Sequence, residues 1–372
     1  MAHIALLYSD TGGGHRTAAE AIEQAILALA GRAHQVTLSN SITYLPFPFN
    51  RSEATYADTM RRAPWLHRLS YHALDGDLRR RLIGKWAMAL DGRRVIAFER
   101  ETRGDVYVSC QPHFNPFIPR ALLATGSKAR YMHVVTDLRD VHAFHFTPVA
   151  DLTLVPNDEV RAQAMRHGLL PDRLAVAGYP ILPDFVSRLE AGPETRSALG
   201  LSPDRPVLLL MGGGEGMGEL YATAAGLMRS SLRAQLIVIC GRNAELKAAL
   251  ESLESALPTR VLGFVDNVAE LMGASDIVIT KAGTGSLCEA VASALPIIIY
   301  DAVPGQEDGN RDFMVDHGAA VFRPTHDGVL AQVADWLADP QALARAGQAA
   351  ARVARPDAAL EIARAVLAHL EP

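Results

Sequence analysis

Two stretches of this sequence place a glycine turn beside a side chain that can hold a ribose or take a proton. Residues 9–15 read SDTGGGH and end in His15, which can accept a proton because the reference pKa of histidine is about 6.5. Residues 281–310 contain a glycine turn, a short helix and Glu289. A glycine turn before a helix exposes backbone N–H groups to a phosphate, and an ionised glutamate accepts hydrogen bonds from both hydroxyls of a ribose. These residues indicate a nucleotide-sugar site, and a plain βαβ unit with tight glycine turns is the alternative.

Each glycine turn follows a predicted strand and precedes a predicted helix. Residues 3–8 predict a strand and residues 18–30 a helix, with Thr17 and Glu20 at capping-box spacing. The same order returns at residues 207–211, a strand that runs into GGGEGMG. Pro and Gly at residues 177–184 predict a linker. We therefore expect an α/β fold with two doubly wound domains, residues 1–178 and 179–355, and a C-terminal helix over 356–372 that can pack back on the first domain.

Polar side chains follow several strands of the predicted first domain. Since ligands bind beyond the carboxyl ends of parallel strands, residues 9–15, 111–113 and 136–145 are expected to line one cleft. The last of these ranges contains Asp137, Asp140, His142 and His145. They fit no standard ligand spacing, so we interpret them as loop polarity and predict no metal.

Two familiar phosphate-binding motifs are absent from the first glycine turn. The next predicted strand ends in Ser39 and Asn40, with no acidic side chain for an adenosine ribose, which argues against a dinucleotide site. No Gly-Lys-Ser or Gly-Lys-Thr follows the glycines, which excludes a Walker A loop. The DGD at residues 75–77 matches the metal-binding DxD of another transferase class. It lies in a basic stretch with no strand before it, so we interpret it as chance.

Composition sets further limits. The chain has 372 residues, 49% hydrophobic and 21% charged, which is ordinary for an α/β protein of two domains. Its three cysteines form no disulfide or zinc pattern, which favours a reducing, cytoplasmic setting. The apolar runs have strand length, far below the roughly 18 residues of a membrane span, and the first is too short for a signal peptide.

A basic stretch lies between Arg61 and Arg94, with nine Lys or Arg against three Asp. Leu82, Trp86 and Leu90 are spaced four apart within it, so apolar and Arg-rich faces can separate on a helix. The pattern is typical of a helix lying on an anionic membrane surface. A solvated basic face over ordinary core residues is the alternative. No nucleic-acid motif accompanies the stretch, so no nucleic-acid partner is expected.

Several motifs together carry a family resemblance that spans nearly the whole chain. They are SDTGGGHRTAAEAI, LPFPFN, VVTDL with the following His142, GGGEGMG, GFVDNVAELM, KAGTGSLCEA and LPIIIYDAVPGQEDGN. With them the chain resembles the monogalactosyldiacylglycerol synthases and their bacterial glycosyl-diacylglycerol synthase relatives. These are GT-B transferases akin to the N-acetylglucosaminyl transferase of peptidoglycan lipid II assembly.

The resemblance implies two Rossmann-like domains facing a cleft, with the acceptor lipid on the first and the UDP-sugar on the second. It also implies an inverting transfer with no cofactor and no bound metal. The donor residues that it implies are Phe264 and Val265 at the uracil, Glu289 at the ribose, Gly213, Gly214, Gly285 and Ser286 at the diphosphate, and Gln306, Glu307 and Asn310 at the sugar. Helix N-termini and glycine N–H groups then stabilise the diphosphate in place of a metal.

On the acceptor side the resemblance makes His15, next to Gly14, the base for the glycerol hydroxyl. Asp137 is expected to orient the imidazole of His15 or to act as the base itself. Galactose is the expected hexose and diacylglycerol the acceptor. UDP-glucose, or UDP-GlcNAc with a prenyl-diphosphate-linked cell-wall precursor, are the alternatives, and a non-catalytic UDP- or lipid-binding module is the non-enzyme alternative. The turn at residues 284–286 and Cys288 depart from the pattern of plant members, which affects statements about the sugar.

A diacylglycerol acceptor implies that the enzyme works at a membrane. Each buried CH₂ of the lipid contributes about 0.8 kcal/mol, so the lipid does not leave the bilayer readily. The predicted docking residues are Trp65, Arg79, Arg80, Arg81 and Trp86. We therefore expect a cytoplasmic protein that binds an anionic surface peripherally on the inner face of the cell membrane.

Overall fold

The computed structural model describes residues 1–10, 13–53, 69, 71–214 and 219–370. The chain divides into two compact units. Unit 1 comprises Met1–Pro183, Pro304–Gly309 and Asp357–Pro372, and unit 2 comprises Asp184–Val303 and Asn310–Pro356. Each unit contains one six-stranded sheet.

Unit 1 is built on a parallel sheet in the order β2-β1-β3-β4-β5-β6. The strands are β1 (His3–Tyr8), β2 (Gln35–Asn40), β3 (Val106–Ser109), β4 (Arg130–Val134), β5 (Leu152–Val155) and β6 (Leu174–Val176). Its helices are α1 (Gly14–Ala30), α2 (Asp77–Asp91), α3 (Arg93–Thr102), α4 (Ile118–Thr125) and α5 (Asp158–Arg166). Strands β3 and β5 are buried along their whole length, as is usual where helices cover both faces of a parallel sheet.

Unit 2 has a parallel sheet in the order β12-β11-β10-β7-β8-β9. The strands are β7 (Val207–Met211), β8 (Gln235–Ile239), β9 (Thr259–Leu262), β10 (Ile277–Lys281), β11 (Ile297–Asp301) and β12 (Ala320–Phe322). The helices are α6 (Phe185–Arg188), α7 (Gly192–Ala198), α8 (Leu220–Met228), α9 (Ala244–Glu251), α10 (Val268–Gly273), α11 (Thr284–Ala292), α12 (Asp308–Asp316), α13 (His326–Ala338) and α14 (Pro340–Val353). Val, Leu and Ile from the central strands fill the core between the helix layers.

The last helix, α15 (Ala358–Ala368), belongs to unit 1, where it packs against α1. Ile362, Ala363 and Val366 are fully buried on its inner face. Small side chains on both helices allow this close approach, since α1 buries alanines at positions 18, 19, 21 and 25.

Helix α1 begins one turn earlier than the sequence predicts. Its first residue is Gly14, and Gly13 precedes it in the left-handed region with a φ of 87°. Glycine adopts this conformation without strain, which allows the chain to enter the helix at Gly14. The predicted capping box does not form. The Thr17 hydroxyl donates to the Gly13 carbonyl at 3.2 Å, and Glu20 accepts from Arg16.

The strand order reverses once in each sheet. Strands are added on opposite sides of β1 in unit 1, so the reversal lies between β1 and β3, and in unit 2 it lies between β7 and β10. Loops at such a point leave in opposite directions and open a crevice beyond the strand ends. The predicted doubly wound α/β organisation is therefore confirmed in both units, and each has one place suited to a ligand.

Within the described ranges, no helix combines the length and the hydropathy that a membrane span requires.

Candidate functional site

The predicted phosphate-binding glycines of unit 2 lie at the point where its strand order reverses. Gly213 and Gly214 follow β7, and Gly213 adopts a φ of 73°. A Cβ on Gly213 would lie 3.1 Å from Cε of Lys281, the last residue of the neighbouring strand β10. The glycine thus provides both the turn and the space for the lysine side chain. Sequence reasoning did not assign Lys281 a role, although its position at a strand end was the available signal.

Helix α11 begins at the end of β10, on the other side of the same reversal. Gly283 precedes the helix, so Gly285 and Ser286 lie in its first turn, whose N–H groups have no partner within the helix. The first helical bond runs from Leu287 N–H to the Gly283 carbonyl, at 3.0 Å. This turn carries the positive end of the helix dipole and is suited to an anion.

Asn310 supports that turn from α12. Its side chain is 1% exposed, and its amide donates to Thr284 Oγ1 at 2.9 Å and lies 3.5 Å from the Ala282 carbonyl. The structure therefore gives Asn310 a part in holding the start of α11. Its predicted contact with a sugar stays a prediction.

Glu289 lies one turn further along α11 and is only partly exposed. Burial raises the pKa of its carboxyl group to about 7. A bound ribose would favour the ionised form, since its hydroxyls donate to a carboxylate. This shifted pKa makes Glu289 a candidate binding residue on physical grounds.

Two further loops of unit 2, after β8 and β9, begin at the same edge of the sheet. Phe264 and Val265 follow β9, and the Phe264 ring is 59% exposed. The guanidinium carbon of Arg242, which follows β8, lies 4.4 Å from the centre of that ring. The backbone N–H of Arg242 donates to the Gly214 carbonyl at 2.8 Å, so this loop is tied to the glycine turn. The sequence analysis assigned no role to Arg242. The signal was available, because Gly241 is a third glycine that follows a strand and lies next to Arg242.

The remaining predicted sugar contacts lie in the segment grouped with unit 1. Glu307 is buried, and Gln306 is partly exposed. Their roles at the sugar stay predictions.

In unit 1, polar groups tie together the loops at the strand reversal. The side chain of Gln111, beyond β3, donates to the Ser9 hydroxyl, beyond β1, at 2.7 Å. Both residues are almost fully buried. The Tyr179 hydroxyl donates to the Gly14 carbonyl at 2.9 Å, which anchors the start of α1. His15, in the first turn of α1, is thereby held at the crevice.

His15 is suited to accept a proton. Burial lowers the pKa of its imidazole, and the charge of Asp137 and a hydrogen bond to the backbone of Cys110 oppose that effect in part. His15 Nδ1 lies 3.3 Å from Thr136 Oγ1. The ring is thus mainly neutral at pH 7, as a general base must be.

The residues after β4 form a polar cluster next to His15. Asp137 Oδ2 lies 3.4 Å from Nε2 of His145, and His142 Nε2 lies 3.1 Å from the Tyr71 carbonyl. Asp137 and His145, which sequence reasoning placed in one loop, are in contact. Among the described residues, no group of three or more His, Cys, Asp or Glu side chains is arranged to hold a metal ion.

Helix α2 carries most of the predicted docking residues. Leu78, Leu82, Trp86 and Leu90 form a stripe with exposed fractions of 70, 46, 66 and 79%. Arg79 and Arg81 are exposed beside them. The apolar stripe and the two arginines therefore lie side by side on the exposed side of this helix, and their role in docking stays a prediction.

Arg80 corrects the prediction of the docking residues. Arg80 is 5% exposed because it shares with Gly84 and Ala87 the face of α2 that packs on the rest of unit 1. Its guanidinium forms an ion pair with Asp77 at 3.3 Å. A buried guanidinium does not reach a membrane surface. Trp65 lies outside the described residues.

Comparison with solved structures identifies the fold. The crystal structure of Acinetobacter baumannii MurG matches with a TM-score of 0.61 at 16% identity and covers 99% of each chain. The two six-stranded parallel sheets and their helix layers are those of a GT-B glycosyltransferase.

Sequence comparison identifies the family. Residues 15–181 match the profile described as monogalactosyldiacylglycerol (MGDG) synthase, and residues 207–362 match the glycosyltransferase family 28 C-terminal domain. A probable chloroplastic monogalactosyldiacylglycerol synthase of Nicotiana tabacum is 36% identical over 96% of this chain and 69% of its own length. The chloroplastic monogalactosyldiacylglycerol synthase of Spinacia oleracea is 34% identical over 96% of this chain and 71% of its own length. This chain belongs to the monogalactosyldiacylglycerol synthase family, as the resemblance of its motifs predicted.

The shifted pKa of Glu289 predicts how donor binding depends on pH. If the carboxylate holds the ribose, UDP-galactose affinity should rise about tenfold from pH 6 to pH 8, since a group with a pKa of about 7 goes from about one-tenth to nine-tenths ionised. Lowering the pH protonates Glu289 and weakens binding. A UDP-sugar is preferable to UDP for this calorimetric titration, because a terminal phosphate has a second pKa of about 6.

Glu289→Gln is the matched control for that titration. It should bind more weakly at pH 8 and lose the pH dependence. A wild-type profile as flat as that of Glu289→Gln would remove Glu289 from the ribose site.

Proposed function

We propose that this protein is an inverting glycosyltransferase that moves a hexose, galactose, from a UDP-sugar to 1,2-diacylglycerol. The observation that carries the proposal is family membership over both units, each of which has a glycine turn where its strand order reverses. The related proteins are named monogalactosyldiacylglycerol synthases. Unit 2 is proposed to bind the UDP-sugar and unit 1 the lipid.

The residue types support the chemistry of such a transfer. The glycerol hydroxyl attacks the anomeric carbon from the face opposite UDP and gives its proton to the imidazole of His15. The bond from that carbon to the diphosphate oxygen breaks, and its electron pair stays on UDP. Gly285 and Ser286 at the start of α11 and the turn at Gly213 and Gly214 face the charge that develops there. The reaction scheme requires no cofactor.

We infer that α2 brings unit 1 to the lipid. Its exposed Leu and Trp stripe removes apolar surface from water when it enters the interface, and Arg79 and Arg81 attract anionic headgroups. Soluble monomers rarely leave four large apolar side chains exposed along one helix without a function. Peripheral binding at the inner face of the cell membrane is the location that we propose.

A donor and acceptor panel tests the function. Purified protein with anionic vesicles that contain diacylglycerol should incorporate labelled hexose from UDP-galactose into lipid. UDP-glucose with diacylglycerol, and UDP-GlcNAc with a prenyl-diphosphate-linked sugar, are the comparison arms, and linkage analysis of the product reports the stereochemistry. Transfer only in a comparison arm would replace the substrate, and UDP binding without turnover in any arm would favour a binding module.

His15→Ala tests the proposed base. General base catalysis typically contributes about 10²–10⁴-fold, so kcat should fall by that order while UDP binding, measured by calorimetry, is retained. His3→Ala, at the opposite end of β1, is the matched control and should keep full activity. Wild-type turnover in His15→Ala would assign the base to another residue.

The double variant Leu82→Ala/Trp86→Ala tests the docking helix. Its affinity for anionic vesicles should fall roughly tenfold or more, because a loss of about 1.4 kcal/mol of apolar transfer energy already has that effect. Vesicle flotation measures the affinity. Leu27→Ala, which truncates a 43% exposed leucine on α1, is the control, and equal binding of the two proteins would contradict a role for α2.

A further inference from the structure

Two buried histidines lie on the core side of Asp137. His133, on β4, is 0% exposed, and His145 is 1% exposed. His133 Nε2 lies 2.9 Å from His145 Nδ1, and His145 Nε2 lies 3.4 Å from Asp137 Oδ2. The three side chains therefore form a line from the core of unit 1 to the crevice that holds His15. None of the predicted roles uses His133 or His145.

A hydrogen bond from His145 to Asp137 would fix where the protons lie along this line. Burial lowers the pKa of both histidines well below the usual value, so both rings are neutral. A neutral imidazole has one donor and one acceptor, and an ionised carboxylate only accepts. His145 must then carry its proton on Nε2, toward Asp137, and accept at Nδ1. His133 must in turn donate from Nε2.

Asp137 is the member of the line whose charge acts on His15. Burial lowers the pKa of His15, and the charge of Asp137 raises it. Asp137 has the same opposing effect on His142, from the turn after β4, and it adds to burial in raising the pKa of Tyr71, from the segment before α2. A change in the position or charge of Asp137 should therefore change the pKa values of His15, His142 and Tyr71.

We propose that His145 is a positioning residue for the transfer reaction: with its tautomer held by His133, it donates to Asp137 and keeps that carboxylate ionised and directed at His15. Its catalytic consequence rests on the proposed function. The arrangement follows the general rule that a residue behind a functional carboxylate or imidazole orients it through a hydrogen bond. A histidine pair with a purely structural role would leave the charge of Asp137, and hence the effect of Asp137 on His15, unchanged.

Histidine NMR tests the arrangement without any activity. In the wild-type protein, both His133 and His145 should show the Nε2–H tautomer between pH 6 and pH 8. In His145→Phe, Asp137 loses one hydrogen-bond donor and is ionised to a smaller extent, and the pKa of His15 should fall by about 0.5–1 unit because part of an opposing negative charge is lost. His145→Gln keeps an N–H donor and should restore most of the wild-type value. His3→Phe is the control, with no effect on His15.

Kinetics test the consequence for catalysis. His145→Phe should lower kcat about 10–100-fold with little change in the KM for the UDP-sugar, and the acidic limb of the pH profile should move to lower pH. His145→Gln should recover part of kcat. In an Asp137→Asn background, His145→Phe should have little further effect, since it acts through that carboxylate.

The outcomes separate this proposal from the proposed function. A charged His145, or one with its proton on Nδ1, would overturn the arrangement, as would a pKa of His15 that is equal in His145→Phe and wild type. Additive losses of kcat in the double variant would overturn the route through Asp137. Absence of any transfer by the wild-type protein would count against the proposed function alone, because the NMR result stands by itself.

Discussion

The reversal of strand order in each parallel sheet is the constraint on which the rest of this structure depends. Later strands are added on both sides of β1 and of β7. The loops that follow neighbouring strands at this point therefore run in opposite directions and leave a crevice between them. The turns after β1 and β7 contain Gly13 and Gly213, which both have a positive φ. Backbone N–H groups and helix starts are thereby brought to the same edge as the polar side chains.

Burial then sets the proton chemistry of the side chains at these edges. It lowers the pKa of His15, which favours the neutral imidazole, and it raises the pKa of Glu289 to about 7, so that Glu289 changes charge near neutral pH. Asp137 counteracts burial at His15, and His145 contacts the same carboxylate. The electrostatic balance at His15 thus extends from the crevice into the core of unit 1.

The elements were predictable from sequence because their signals are local. Apolar runs of strand length mark β7 and β10, and a glycine turn after each marks the start of a helix. The same reading placed Gly213, Gly285 and Glu289 on elements that the structure brings to one edge. It misplaced the start of α1, since the φ of Gly13, and not the capping residues, decides where that helix begins. Arg80 was assigned to the surface because a run of three arginines carries no signal for which one packs inward.

The sequence by itself determined the order of strands, glycine turns and helices, and with it the family, because each of these signals involves residues a few positions apart. Only the tertiary structure decided which side chains meet. Ser9 and Gln111, 102 positions apart, join the loops at the reversal of unit 1. His133 and His145 become a buried pair, and Arg242 lies on the ring of Phe264. Such contacts depend on how separate strands align in a sheet, and no local pattern of residue types records that alignment.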